Sequence, residues 1–282
     1  SVDQLIDTLH KTLATLRKLE RFEGHLLNWY NLEDLSPLEP RYVSMVDSGN
    51  FIASIWALVQ GLNDVLESPL MGDEVRLGLL DTFDILADAV HKEVSDDDLQ
   101  SIIYGIGQAL RQEPSDSLQF VATLRSLLDP VKDVVIALRE HAGVVAGAAY
   151  WGRMLELELL DWINIADRYL AWVQADTSLL TPSPAKNGNN GQGYHAFQKE
   201  LPSISQLARV DLSDPSELQD ESGLGPDQME TVQSELWRAV QAARQTHARA
   251  IALMDGLSSF SDEFNLRFLY DSKRRLFTVG YN

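Results

Sequence analysis

The chain has 282 residues, of which 45% are hydrophobic, enough for a sizeable core. Its formal net charge of −19 repels phosphate backbones and anionic lipid headgroups, so nucleic acid is not expected as a partner, whereas a neutral glycan is not repelled. The chain has no cysteine, which excludes disulfides, thiolate metal sites and cysteine nucleophiles.

Helical periodicity of apolar residues runs through most of the chain. Ser48 is a candidate N-cap, and the acidic run after Ser95 suits the positive end of a helix dipole. Pro130 is expected to end or kink the fifth helix, and Gly143, Gly147 and Gly152 are expected to mark a break in the long pattern that follows. The predicted helices are residues 3–23, a stretch from 48, a stretch from 73, a stretch from 95, 115–128, 131–174, 203–209, 214–220 and 226–257.

The end of the chain changes to a strand pattern. Alternating apolar residues at 268–270 and 276–280 fit two short strands around a turn at Asp271. The predicted fold class is therefore mainly α, a helical bundle or partial (α/α) barrel with a C-terminal β-hairpin.

The predicted domain organisation follows from these elements. Residues 1–282 are interpreted as a single helical domain or part of one. The low-complexity composition predicts a mobile surface loop at 176–197. Residues 266–282 are interpreted as the hairpin that leads into a missing C-terminal part. No run of about 18 apolar residues occurs, so no membrane span is expected in this chain.

Common catalytic motifs are absent from the sequence. It contains no His-Glu-x-x-His, no phosphate-binding loop, no dinucleotide fingerprint and no Gly-x-Ser-x-Gly elbow. The six histidines are scattered without metal-ligand spacing, so neither a metal site nor a cofactor is predicted. A glycosidase needs two carboxyl groups about 5–5.5 Å or ~6.5–9.5 Å apart, and no convincing pair is recognisable among the 42 acidic residues.

Two neighbouring segments, 24–30 and 37–50, have an unusual composition. They are dense in aromatic and hydrogen-bonding side chains, where a plain connector would be rich in Gly, Ser and charge. Aromatic faces beside carboxylate, amide and guanidinium groups are what a protein needs to hold a sugar. We therefore predict a substrate-binding surface formed by Trp29, Tyr30, Arg41, Tyr42, Asp47, Ser48 and Asn50.

Several of these residues have a structural alternative. Asp47 either binds a ligand hydroxyl or caps the following helix. Trp29 either stacks on a sugar ring or packs against the first helix. His25 either terminates the first helix or donates to a hydroxyl group.

Long motifs in the same region resemble a known family. Glu20-Arg-Phe-Glu-Gly-His-Leu-Leu-Asn-Trp-Tyr30 and Pro37-Leu-Glu-Pro-Arg-Tyr-Val-Ser-Met-Val-Asp-Ser-Gly-Asn50 resemble the cyclic β-1,2-glucan synthases. The ending, with Phe268-Leu-Tyr-Asp271 and Arg275-Leu-Phe-Thr-Val-Gly-Tyr-Asn282, resembles the opening of the second half of that family's middle domain. Between these two anchors the match is one of helical character and length.

The resemblance implies a place in a larger enzyme. The family consists of large bacterial inner-membrane proteins that join a glycosyltransferase, a glycoamylase-like middle domain and a phosphorylase-like domain. The middle domain closes linear β-1,2-glucan into a ring by transglycosylation. The implied partners are linear or cyclic β-1,2-glucan and the other domains of the same polypeptide. The implied location is the cytoplasmic side of the inner membrane.

The resemblance also implies that this chain carries part of the substrate-facing wall and lacks the catalytic carboxylates, which are expected after the Gly-Tyr-Asn motif. The chain alone is then expected to be inactive. Two alternatives stay open at this point: a non-catalytic helical scaffold that joins the glycosyltransferase and phosphorylase-like domains, or a fragment of a β-1,2-glucan hydrolase.

Overall fold

A computed structural model describes residues 2–94, 96–114, 117–140, 146–175, 201–212 and 226–282. The predicted mainly α fold with a C-terminal hairpin is confirmed. The helices are α1 (Val2–Leu16), α2 (Met45–Glu67), α3 (Asp73–Glu93), α4 (Asp97–Arg111), α5 (Ser117–Glu140), α6 (Ala146–Tyr169), α7 (Ala171–Ala175), α8 (Ile204–Ala208) and α9 (Pro226–Asp262). The strands are β1 (Arg21–Phe22), β2 (His25–Leu26), β3 (Val43–Ser44), β4 (Tyr270–Asp271), β5 (Leu276–Phe277) and β6 (Gly280–Tyr281).

Some sequence predictions fall outside the described residues, namely the loop at 176–197, the helix at 214–220 and Gly143. The chain divides into two compact units. We call residues 68–244 the helical unit and residues 2–67 with 245–282 the terminal unit.

The helical unit is built around four packed helices. α3 packs on α4, α4 on α5, α5 on α6, and α6 returns to α3, so the four form a closed bundle. Apolar residues at helical spacing fill its interior, among them Phe83, Leu86, Leu124 and Leu155, each at most 2% exposed. Asp96 caps α4 by accepting from two backbone N–H groups, as its position in the acidic run predicted.

Of the two alternatives predicted for Pro130, that it ends α5 is wrong, since the helix continues through Pro130 to Glu140. A proline inside a helix costs about 3 kcal/mol because it removes a hydrogen bond and crowds the preceding turn. Leu127 and Val131 on either side of it are buried in the bundle, and so is Val134. Burial of such side chains, worth roughly 1.5–3 kcal/mol each, outweighs the local cost. Gly147 and Gly152, which were expected to mark a break in the helical pattern, lie within α6.

In the terminal unit, the first helix ends earlier than the predicted residue 23. α1 stops at Leu16, and the chain then forms the β1–β2 hairpin, in which Phe22 pairs with His25. Its two turn residues, Glu23 and Gly24, have φ values of 52° and 84°. Positive φ at both central positions is typical of the type I′ turn, whose twist matches that of paired strands.

The start of α2 also differs from the prediction. The helix begins at Met45, and its first turn is capped by Ser44, whose hydroxyl accepts from the backbone N–H of Asp47 at 3.2 Å. The prediction of Ser48 as the N-cap is therefore wrong. Ser48 lies one turn further on and is 5% exposed.

The C-terminal strands join distant parts of the terminal unit. β4 pairs with β5 around a turn in which the Asp271 carboxylate accepts from the backbone N–H groups of Lys273 and Arg274, as predicted for a turn residue. β6 pairs with β3, with Ser44 opposite Gly280. The segment at 43–44 and the end of the chain thus share one antiparallel ladder.

Gly24 offers a test of this arrangement. A Cβ at this position would lie 1.9 Å from the carbonyl oxygen of Glu263, and the positive φ is also unfavourable for other residues. We expect Gly24→Ala to lower the free energy of unfolding by about 2 kcal/mol or more, measured by chemical denaturation.

Gly49→Ala is the matched control, since no atom lies within 4 Å of a Cβ at that helical position. Alanine there should leave stability unchanged or raise it by about 0.5–1 kcal/mol. Equal stability of the two variants would contradict the close approach at Gly24.

Candidate functional site

A cavity of about 280 Å³ lies in the terminal unit at the residues singled out by sequence. We call it the Trp29 pocket. It is formed where β2 and the residues after it meet the first turns of α2 and the residue two positions beyond α9. Its lining residues are Leu26, Leu27, Asn28, Trp29, Asp47, Ser48, Phe51 and Phe264.

Aromatic rings form the apolar part of this pocket. Trp29 is 57% exposed, so its indole does not pack into the core. The rings of Phe51 and Phe264 stack with centroids 5.9 Å apart and an angle of 30° between them. An exposed indole beside the Phe51 and Phe264 rings provides a face on which an apolar surface of a ligand can pack.

The polar edge of the pocket comes from the start of α2. Asp47 lies in the first turn of the helix, where the helix dipole favours a negative charge. Its side chain is exposed, and it makes no hydrogen bond or ion pair with the residues that the structure describes. Asp47 is therefore neither the N-cap nor part of an ion pair in that portion of the chain, and its carboxylate oxygens remain available to a ligand.

Behind this edge lies His25, which is 0% exposed. Its Nε2 lies 3.0 Å from the carbonyl oxygen of Asn265, and its Nδ1 lies 2.7 Å from the hydroxyl of Ser48. Phe264 and Phe268 pack edge-on against the imidazole, at centroid distances of 5.1 and 5.3 Å. The ring thus fills a closed space between three parts of the terminal unit.

Burial lowers the pKa of His25 below its usual value of 6.5, because a charged imidazolium would lose its hydration. The hydrogen bond to the Asn265 carbonyl and the nearby Glu23 carboxylate act in the opposite direction and only partly offset the burial. His25 is therefore neutral near pH 7. It lies in β2 rather than at the end of α1, and it is not among the lining residues of the pocket.

Tyr30, a predicted sugar platform, has contacts of both its hydroxyl and its ring within the protein. Its hydroxyl accepts from the backbone N–H of Leu27 and donates to the carbonyl of Glu20, each at 2.8 Å. Its ring packs against the small buried cluster that contains Val43 and Leu269. Burial raises the pKa of the Tyr30 phenol. Both the hydroxyl and the ring are thus engaged within the protein.

The other predicted residues lie outside the pocket lining. Arg41 pairs with Glu20 at 2.9 Å and lies 3.8 Å from Glu39. Tyr42 lies against Gly280, where a Cβ would meet its hydroxyl at 2.0 Å. Asn50 is exposed on α2. The structure therefore brings Trp29, Asp47 and Ser48 together and places Tyr30, Arg41, Tyr42 and Asn50 elsewhere.

Sequence reasoning did not identify Asn28, Phe51 or Phe264 as lining residues. Phe264 comes from the other end of the chain, and no local pattern connects it to Trp29. Phe51 adjoins Asp47 on the same helix, so helical periodicity from Asp47 was the one signal that could have found it.

The two anchors of the sequence resemblance meet in the terminal unit. Phe22 stacks on Tyr281 with centroids 5.2 Å apart and 9° between the rings. Phe268 contacts the edges of both His25 and Tyr281. Motifs from the two ends of the chain therefore form one packed cluster behind the Trp29 pocket.

The described lining residues supply groups suited to binding. Asp47 is the one carboxylate among them, and the carboxylate pair of a glycosidase is not formed by these residues. In the part of the chain that the structure describes, no group of three His, Asp or Glu side chains is placed to hold a metal ion. The arrangement is suited to holding and orienting an uncharged polar ligand.

Another cavity, of about 380 Å³, lies in the helical unit. Arg76 contributes to its wall, is 8% exposed, and pairs with Asp73 at 2.8 Å. None of the predicted site residues lies there. The lining residues are Met71, Gly72, Asp73, Arg76, Glu113, Pro114 and Phe120.

Comparison with known proteins gives one informative match. No family model matches the chain. A stretch of 96 residues is 38% identical to the cyclic beta-(1,2)-glucan synthase NdvB of Rhizobium meliloti (strain 1021). The stretch represents 34% of this chain and only 3% of that protein. Among the described residues, no helix has the length and apolar character needed to cross a membrane. The match supports a relation to the cyclic glucan synthases.

The lowered pKa of His25 predicts a pH-dependent stability. Between its folded pKa and about pH 6.5, the unfolded chain binds a proton that the folded chain does not. The contribution of neutral His25 is complete above pH 6.5 and is lost as the pH falls below it, with a slope of up to ~1.4 kcal/mol per pH unit.

We therefore expect the difference in unfolding free energy between the wild type and His25→Gln to shrink from pH 7.5 to pH 5, measured by urea denaturation. His91→Gln, at an exposed position on α3, is the control for replacing a histidine without removing a buried imidazole. A difference for His25→Gln that does not change with pH would show that His25 is not held neutral by burial.

Proposed function

We propose that this chain is part of a cyclic β-1,2-glucan synthase and that the Trp29 pocket holds glucan during the transglycosylation that closes the linear chain into a ring. The observation that carries the proposal is the placement, on the same pocket, of an exposed indole and a carboxylate that has no partner among the described residues. The 38% identity to a cyclic beta-(1,2)-glucan synthase supports the choice of substrate.

The pocket has the two features that a sugar requires. A pyranose ring has an apolar C–H face, which packs on an aromatic surface such as that of Trp29. Its hydroxyl groups need hydrogen-bond partners once water is removed, and a carboxylate is a strong acceptor. The hydrogen bond from the Leu27 backbone N–H to the Tyr30 hydroxyl and the Arg41–Glu20 ion pair stabilise the segment that contains Trp29.

The proposed contribution is positioning rather than bond cleavage. Ring closure requires that a glucan hydroxyl reaches the reacting carbon before water does, and fixing the chain in one orientation favours this route. A pocket with a single carboxylate supplies orientation but not the acid and nucleophile of a retaining enzyme. The catalytic carboxylates are expected in another part of the synthase.

The proposal extends to partners and location. Linear or cyclic β-1,2-glucan would occupy the pocket, and the other domains of the synthase would be covalent partners. The protein would act at the cytoplasmic side of a bacterial inner membrane as part of a larger membrane protein.

A second candidate is a helical scaffold that orients neighbouring enzymatic domains. The closed bundle of α3, α4, α5 and α6 favours it for the helical unit, because its buried interior is apolar and holds none of the predicted site residues. A folded chain that does not bind glucan would support the scaffold over the binding role.

Isothermal titration calorimetry of the chain with linear β-1,2-glucan tests the proposal. We expect binding by the wild type and a loss of affinity of about tenfold or more for Trp29→Ala, as expected when a contact worth ~1.4 kcal/mol is removed. Trp56→Ala is the matched control, because Trp56 is 65% exposed on α2 but does not line the pocket. Equal losses in the two variants would argue against stacking at Trp29.

Asp47 is tested by product analysis in a cyclic β-1,2-glucan synthase that contains this segment. We expect Asp47→Ala to slow ring formation about tenfold, equivalent to ~1.4 kcal/mol of lost positioning, while linear glucan accumulates. Asp64→Ala, further along α2, should leave ring formation close to normal. Normal ring formation by Asp47→Ala would remove this residue from the site.

A further inference from the structure

We infer that the α2 edge of the Trp29 pocket, formed by Asp47 and Ser48, only accepts hydrogen bonds, and that His25 is the positioning residue that fixes Ser48 in this role. The ligand must therefore donate hydroxyl protons to this edge. The inference rests on the proposed function, since it takes the ligand to be a sugar.

The tautomer of His25 follows from its partners. The carbonyl oxygen of Asn265 accepts hydrogen bonds and has no proton to give, so Nε2, at 3.0 Å, carries the hydrogen. Because the buried ring is neutral, Nδ1 has no hydrogen and acts as an acceptor. The hydroxyl of Ser48, at 2.7 Å, then donates its only proton to Nδ1.

Because the Ser48 hydroxyl donates its proton to Nδ1 of His25, its oxygen can only accept hydrogen bonds from a molecule in the pocket. The neighbouring Asp47 carboxylate is also an acceptor, and its backbone N–H is already bonded to the Ser44 hydroxyl. Two adjacent side chains of α2 thus present acceptors and no donor. A bound molecule satisfies them only with O–H or N–H groups of its own.

Donors are present on the β2 side of the pocket, in the Asn28 amide and the Trp29 indole. A ring with several free hydroxyl groups can donate to the α2 edge and accept from these groups. A phosphorylated or acidic sugar would bring a negative charge close to the Asp47 carboxylate, which disfavours binding. The chemistry therefore selects an uncharged sugar with free hydroxyl groups.

The volume limits how much of the glucan enters. At about 280 Å³, the cavity is slightly smaller than the pockets of ~300–1,000 Å³ that enclose drug-sized ligands. A cavity of this size suits a single sugar ring, with the rest of the glucan chain outside it.

Monodeoxy and monodeoxyfluoro analogues of a linear β-1,2-linked glucotriose test the hydrogen-bond polarity, with affinities measured by calorimetry. Fluorine has no proton to donate. At the ring position that contacts Ser48, we expect both analogues to bind about tenfold more weakly than the parent, by similar factors. This penalty should disappear in Ser48→Ala, which has no acceptor to leave unpaired.

Ser54→Ala is the control, because Ser54 lies on the same helix and its hydroxyl donates to the Asn50 carbonyl at 2.8 Å. It should keep the penalty for the fluorinated analogue. If the parent trisaccharide binds but every fluorinated analogue binds equally well, the inference fails while the proposed function stands. If the parent does not bind at all, the proposed function fails and the inference fails with it.

The role of His25 has a direct readout in the unmodified protein. The ¹⁵N resonances of its ring should show a protonated Nε2 and an unprotonated Nδ1 at pH 7, with or without the trisaccharide. A protonated Nδ1 would overturn the inference, because Ser48 would then be free to donate. This measurement requires no variant of a buried residue.

Discussion

The terminal unit depends on the two hydrogen bonds made by the buried imidazole of His25. Through Ser48 it contacts the first turns of α2, and through the Asn265 carbonyl it contacts the segment after α9. Asn265 returns to the β1–β2 hairpin as well, since its backbone N–H donates to the Glu23 carbonyl at 3.0 Å and its side chain donates to the Glu23 carboxylate at 2.7 Å. Three parts of the chain that are distant in sequence are thereby held in one geometry.

Close backbone approach makes this network possible. The hairpin passes so near the end of α9 that a side chain at Gly24 would collide with the Glu263 carbonyl. A similarly close approach occurs at Gly280, where a Cβ would collide with the Tyr42 hydroxyl and the Val43 carbonyl. Gly24 and Gly280 lie in the two sequence segments whose motifs resemble those of the glucan synthases. They are explained by packing, because only glycine leaves room at these crossings.

The helices were predictable from sequence because their signals are local. Apolar spacing located the bundle helices, and the position of Asp96 correctly predicted the cap of α4. Pro130 and Ser48 were misleading or incomplete guides, because their surroundings depend on distant parts of the chain, and the ion pair of Arg41 was not recognisable for the same reason. Packing in the bundle stabilises α5 on both sides of Pro130. Ser44 is held by the pairing of β3 with β6, and Arg41 forms an ion pair with Glu20. Within the pocket, Trp29 and Asp47 were recognisable by their chemistry, whereas Phe264 required knowledge of how the chain ends meet.

The charge of the chain and the polarity of the pocket lead to the same class of ligand. A net charge of −19 disfavours anions at long range, and the exposed Asp47 carboxylate disfavours them at short range. A neutral polyol is not repelled at either range, and its hydroxyl groups can donate hydrogen bonds to acceptors whose direction is already fixed by the protein. Since the Ser48 proton is held by a buried ring, the proposed binding of a sugar would need no rearrangement of this hydroxyl. Fixing the acceptor beforehand reduces the ordering cost of binding, which is what a positioning site in a transglycosylation requires.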